Sequence, residues 1–167
     1  MNLNKNIVDR AMKIAVIAHE GQVDKCGDPY INHVTNVATR AVSATAYRGS
    51  MGSYVQEWAD HVVATAWLHD VVEDTDVTLA DIALQFPNEV VLAEEAITHL
   101  PNEPYWDYIE RVRVDEIATA VKIVDLRDNM RPERIIRITD VATYSRMINI
   151  LIPRYYKAYK ILVTGKS

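Results

Sequence analysis

Cysteine is almost absent. Cys26 is the only one in 167 residues, which excludes an internal disulfide and a thiolate metal cage. No apolar run approaches the roughly 18 residues that a membrane span needs. The opening Met-Asn-Leu-Asn-Lys-Asn lacks the apolar core of a signal peptide. The expected address is therefore cytoplasmic, with no membrane partner. No internal repeat, linker or low-complexity tract interrupts the chain, and no two strand-like runs are joined by turn chemistry. An excess of positive charge is missing too: the net charge is −5, so no nucleic-acid partner is expected. That charge is unevenly spread. Residues 1–126 carry 9 Lys and Arg against 20 Asp and Glu, whereas residues 127–167 carry 9 against 3. The basic C-terminal part either complements the acidic part within the fold or helps hold an anionic ligand. Internal complementarity is the plainer expectation.

What is present is ordinary for a globular protein: 49% apolar and 25% charged residues, in a length that suits one domain over 1–167. Apolar residues recur with a helical period over 5–20, with Gly21 as a plausible cap. Residues 23–29 are expected to form a turn. Helical patterning resumes over 30–47, breaks in a loop at 48–53, and restarts near Tyr54. Thr78 and Asp81 have the spacing of a capping box, opening a short helix before Pro87. Helices are expected over 88–99, 105–113 and 115–130, with a break at 101–104. The stretch 139–163 is helical again, and Pro153 either kinks it or starts a new segment. The expected fold class is all-α.

The rest is organised around residues 62–78. The apolar run Val62–Leu68 ends abruptly in His69-Asp70, and Glu73-Asp74 follow. On a continuous helix, His69 and Glu73, Asp70 and Glu73, and Asp70 and Asp74 are all neighbours. Like charges so placed repel by about 4 kcal/mol at 4 Å when the effective dielectric is 20. A cation or a shared proton removes that repulsion. A helix end frayed into water does so as well.

His33, His69, Asp70 and Asp125 lie on three separate helices, each near a break in the apolar pattern. Two imidazoles and two carboxylates form a mixed N/O set that suits manganese, iron or zinc better than copper(I) or calcium. Taken singly, His33 also fits a surface or capping role. Asp125 sits in the otherwise apolar Val121-Lys-Ile-Val-Asp125, and a buried acid needs a partner. Lys122, three residues back, is placed to be one. His19, His61 and His99 are expected to pack rather than ligate, and Cys26 is expected to be incidental.

Four segments together resemble a known family. Ala18-His-Glu-Gly-Gln22, Lys25-Cys-Gly-Asp-Pro-Tyr-Ile-Asn-His33, Leu68-His-Asp-Val-Val-Glu-Asp-Thr75 and Val121-Lys-Ile-Val-Asp-Leu-Arg-Asp-Asn-Met130 are similar to HD-domain hydrolases of alarmone metabolism. These comprise the hydrolase domain of RelA/SpoT-type proteins and the small stand-alone alarmone hydrolases. The resemblance covers about residues 5–130, in the right order and spacing. It implies an all-α HD-type helical bundle and one manganese ion held by His33, His69, Asp70 and Asp125. It further implies that Glu73 and Asp74 position or activate the attacking water and that Lys25 and Asn129 contact the nucleotide; Tyr30 matches the family pattern as a substrate-side residue, with simple packing as its alternative. The implied reaction is removal of the 3′-pyrophosphate from guanosine tetra- or pentaphosphate by a hydrolase acting alone.

Two positions depart from the family pattern. Val34 stands where a proline usually follows the histidine. Asp24 stands where the family usually has an arginine associated with holding the guanine base. An aspartate cannot stack on a base, and it repels a phosphate. That keeps in view an HD phosphohydrolase acting on another nucleotide, and a non-catalytic nucleotide-binding protein is the rival from a different class.

Overall fold

The computed structural model describes residues 3–46 and 53–165. Within them the chain is all-α, as the periodicity predicts, with one isolated antiparallel bridge between Val23 and Pro29. Helix α1 spans Leu3–Ala18, α2 Ile31–Ala46 and α3 Ser53–Leu68, followed by the short α4 (Val71–Asp74) and α5 (Leu79–Ala83). Then come α6 (Asn88–Ile97), α7 (Tyr105–Val114), α8 (Glu116–Asn129), α9 (Pro132–Ile135), α10 (Val141–Arg146) and α11 (Ile152–Thr164). Apart from Ser53, which opens α3, the loop expected at 48–53 lies outside the described residues, as does Tyr47. No helix among those described is long and apolar enough to cross a membrane.

Helix α3 is central because its last turns are apolar all round. Val62, Ala64, Thr65, Ala66 and Leu68 are all buried, and a helix with no polar face belongs in an interior. It packs against α1, α2, α6 and α8. Its residues join two apolar clusters, one with Ala11, Ala15 and Ile82 and the other with Val37, Ile109 and Val121. A smaller apolar cluster of Ile135, Ile138, Met147 and Leu151 lies against Cys26.

Several ends have local causes. Gly21 takes φ +77°, which closes α1 in the left-handed region open to glycine. Thr78 Oγ1 accepts from the Asp81 N–H at 3.3 Å and Asp81 Oδ2 accepts from the Thr78 N–H at 2.9 Å, completing the capping box. Asp115 caps α8 by accepting from the Ala118 N–H at 2.8 Å. Pro153 is the second residue of α11, whose backbone continues from α10 in helical angles. A π-helical turn over Met147–Leu151 separates α10 from α11 and precedes the residue that lacks an N–H.

The continuous helix expected through His69 and Asp74 is interrupted. Helix α3 ends at Leu68 and α4 starts at Val71. The His69 ring supplies the reason: its Nδ1 lies 2.9 Å from Ala66 O, the carbonyl that the residue-70 N–H takes in an unbroken helix. Asp74 N–H still bonds Asp70 O at 2.9 Å, so the two acids stay one turn apart. The basic C-terminal part does complement the acidic part. Arg134 Nη2 lies 3.1 Å from Asp24 Oδ2, and Arg137 Nη2 lies 2.6 Å from Asp28 Oδ1.

Glu94 on α6 is fully buried, and neither carboxyl oxygen has a hydrogen-bond partner among the described residues. Burial, and then the Asp70 carboxylate, push its pKa well above the usual value. The folded state therefore holds Glu94 neutral while the unfolded chain ionises it, so stability falls as pH rises above about 4.3, the ordinary glutamate value. Replacing it by leucine is expected to stabilise the fold by about 1–3 kcal/mol at pH 8 and by less at pH 4. Denaturant unfolding of both proteins at the two pH values checks this, and an equal gain at both would remove the titration from the account.

Candidate metal centre

Three parts of the fold bring the centre together. His33 comes from the first turn of α2, His69 and Asp70 from the break between α3 and α4, and Asp125 from α8. His33 Nε2 lies 3.3 Å from Asp125 Oδ1 and 3.7 Å from Asp70 Oδ2. His69 Nε2 lies 2.9 Å from Asp70 Oδ2 and 3.9 Å from Asp125 Oδ1. One ligand-capable atom from each of His33, His69 and Asp125 falls within 4.8 Å of the others. His33, His69 and Asp125 thus form one group, and Asp70 lies against both of its histidines. The two rings cross edge to face, with centroids 5.4 Å apart.

The donor set suits a divalent cation. Because His69 Nδ1 donates to Ala66 O, the neutral ring has its lone pair on the inward-facing Nε2. That nitrogen is buried and has no hydrogen-bond partner among the described residues, although Asp70 Oδ2 is close. A lone pair facing a carboxylate calls for a proton or a metal between them. Burial alone disfavours ionised Asp125, but the Lys122 ammonium at 2.9 Å, and then His33 and His69, hold its carboxyl well below the usual range. Burial likewise opposes ionised Asp70, and His69 outweighs it, keeping the carboxyl low. Lys122 is thus the partner that buried Asp125 requires. Two carboxylates and two imidazoles of this kind match the ligand chemistry of manganese, iron or zinc.

A cavity of about 350 Å³ opens beside the centre, with Lys25, Tyr30, His33, Asp74, Asn129 and Arg134 in its walls. Tyr30 does more than pack: its hydroxyl donates to Asp70 Oδ2 at 2.6 Å. Asn129 Nδ2 donates to Asp125 Oδ1 at 2.5 Å. Lys25 forms no ion pair among the described residues, and burial, followed by Arg134, Arg146 and Arg154, lowers its pKa. Glu73 and Asp74 are exposed, and Asp74 lines the cavity. Surrounding protein still raises both carboxyls, against the His99 N–H that bonds Glu73 Oε2 at 3.1 Å. Asp24 is turned inward. Its Oδ1 accepts from the N–H groups of Cys26 and Asp28 at 2.8 and 3.1 Å, and Arg134 neutralises its charge. The repulsion of phosphate expected at this position is offset accordingly. Cys26 Sγ reaches Arg134 O at 3.0 Å.

Sequence reasoning gave no role to Asp128, Arg134, Arg146 or Arg154. Asp128 had a visible signal, one turn beyond Asp125 on the same helix. The arginines had none, because each reaches the loop at 23–29 or Lys25 only through the tertiary fold. Of the other histidines, His19 and His61 are buried, and His99 Nε2 lies 2.9 Å from Glu103 O. None of the three joins the centre.

Burial works against the His69 imidazolium, but the Asp70 carboxylate outweighs it and raises the pKa to about 9. A raised folded-state value stabilises the metal-free protein fully below about pH 6.5, and that contribution is lost as pH climbs through 9. A ring-proton NMR titration of metal-free protein is expected to place His69 near 9, and Asp70→Asn to lower it. A His69 midpoint near 6.5, the unperturbed value, would show that the carboxylate does not act on it.

No family model matches the chain. It is 29% identical over 140 residues to a probable GTP pyrophosphokinase of Mycobacterium leprae, covering 78% of this chain and 16% of that protein. It is 31% identical over 133 residues to the guanosine-3′,5′-bis(diphosphate) 3′-pyrophosphohydrolase of Aquifex aeolicus, covering 74% of this chain and 17% of that protein. A probable pyrophosphohydrolase of the same name from Synechocystis is 33% identical over 94 residues, covering 56% of this chain and 11% of that protein. The chain spans about one sixth of the length of the first two. The pattern of motifs and the likeness over most of its length make this chain a relative of the guanosine polyphosphate pyrophosphohydrolases and pyrophosphokinases.

Proposed function

We propose that this chain is a manganese-dependent hydrolase that removes the 3′-pyrophosphate from guanosine tetra- or pentaphosphate. The observation that carries the proposal is the meeting of His33, His69, Asp70 and Asp125 at the end of a cavity that also presents Lys25 and Asn129. The relatives named for pyrophosphohydrolysis support the same substrate class, and those named as pyrophosphokinases handle related nucleotides by name. His33, His69, Asp70 and Asp125 would hold the cation, which supplies Lewis acidity toward phosphate and water. Manganese fits the N/O set.

The chain's own residues do the rest. Asp74 in the cavity wall and Glu73 one residue before it have carboxyls raised above their usual values, which makes them better bases toward a water held for in-line attack. Lys25, which forms no ion pair among the described residues, presents its ammonium to the phosphates. Asn129 orients Asp125 and faces the cavity. Tyr30 fixes Asp70 through its hydroxyl.

A second activity, phosphate removal from another nucleotide by the same centre, is favoured by one observation. Asp24 is committed to Arg134 and to its own loop, so position 24 offers no stacking surface to a guanine. Product analysis with manganese-loaded protein and guanosine tetraphosphate separates the two. Guanosine diphosphate with intact pyrophosphate is the expected outcome, whereas single phosphates, or turnover of other nucleotides only, would favour the second activity. Asp70→Asn is expected to abolish metal binding and activity together. Glu73→Gln is expected to keep the metal and lose about 10²–10⁴-fold in kcat; unchanged turnover would place water activation elsewhere.

A further inference from the structure

We infer that Asp128 is the positioning residue that sets the tautomer of His33, and with it the ability of His33 to bind a metal. The inference rests on the metal centre proposed above. Asp128 is fully buried on α8, one turn beyond Asp125. Its Oδ2 lies 2.9 Å from His33 Nδ1, on the side of the ring away from the other carboxylates. Arg134 Nη1 sits 2.7 Å from the same oxygen and 2.8 Å from the same ring nitrogen.

A neutral imidazole has a single N–H, so these two neighbours make opposite demands. Donation from Arg134 into Nδ1 puts the ring proton on Nε2, where it meets Asp125 at 3.3 Å and leaves no lone pair for a cation. Donation from Nδ1–H to Asp128 frees Nε2 to ligate. Only the second arrangement gives Asp128 Oδ2 a donor from both neighbours, and only the second makes His33 a metal ligand. A carboxylate behind a ligating histidine fixes its orientation and raises its basicity. Here Arg134 supplies the counter-charge that keeps buried Asp128 an acceptor. Asp24 in turn holds the far edge of the Arg134 guanidinium at 3.1 Å, so the loop that carries Lys25 is fastened to the back of the same histidine.

Manganese affinity of the folded protein, measured by calorimetry or by the EPR signal of free Mn²⁺, is the first test. Asp128→Ala is expected to weaken binding about 10- to 100-fold. Asp128→Asn, whose amide oxygen still accepts from Nδ1–H, is expected to weaken it less. The second test uses wild-type protein loaded with zinc as a diamagnetic probe. His33 is expected to show a slowly exchanging Nδ1–H proton correlated with its ring nitrogen, and a folded Asp128→Ala protein is expected to lose it. A general structural role would not move that signal. Wild-type protein that takes up neither metal would overturn the metal centre and this inference with it. Metal uptake with unchanged affinity in a folded Asp128 variant would overturn the inference alone. Should Asp128→Ala fail to fold, the asparagine variant and the wild-type resonance decide, and a zinc-loaded wild type without the Nδ1–H signal sinks the assignment.

Discussion

Carboxylates buried beside an apolar core are the constraint on which the site depends. Asp125 and Asp128 lie one turn apart on α8, and each is nearly or fully removed from water. An ion in that position is tolerated only with a partner close by. Each is met on its own terms. Lys122 pairs with Asp125 from the preceding turn. Arg134 pairs with Asp128 from beyond the helix end, and Arg131 and Arg40 approach its other oxygen at 3.4 and 3.8 Å. Asp70 is met instead by His69 and by the Tyr30 hydroxyl. With the counter-charges placed outside, the inner faces of the carboxylates and rings point at one another. That is the electrostatic arrangement a divalent cation completes.

The same constraint explains why charge is divided along the chain. The basic C-terminal part folds back so that Arg134 and Arg137 meet Asp24 and Asp28 on the loop between α1 and α2. These pairs settle the question in favour of internal complementarity for that part of the excess. Arg146 and Arg154 act on Lys25 instead, lowering its pKa. Cations gathered around an already positive side chain are costly by themselves and suit an anion bound among them. Both uses of the basic segment thus coexist, and Arg134 belongs to both groups, since it pairs with Asp24 and also bears on Lys25.

Asp24 shows how a departure from a family pattern is absorbed. In sequence it replaces a planar cation with an anion. In the fold, its carboxylate caps two backbone N–H groups of its own loop and draws a guanidinium from more than a hundred residues away into the cavity wall. The wall therefore still carries a planar cation, although its position and its partners differ.

The helices, their caps and the central apolar stretch were legible because neighbours three or four residues apart determine them. Thr78 with Asp81, and Lys122 with Asp125, are pairs of that kind, and both form as expected. The ligand-capable set was legible by chemistry: acids and histidines at the broken ends of apolar runs. What the sequence left open was decided by packing. The break at His69 arises from a ring that takes a backbone carbonyl, which helical periodicity does not register. His33 meets Asp128 across 95 positions, and Asp24 meets Arg134 across 110. Contacts at such separations leave no periodic trace. The first exists because α2 and α8 pack against each other and against the same central helix, and that shared surface fixes which side chains face one another.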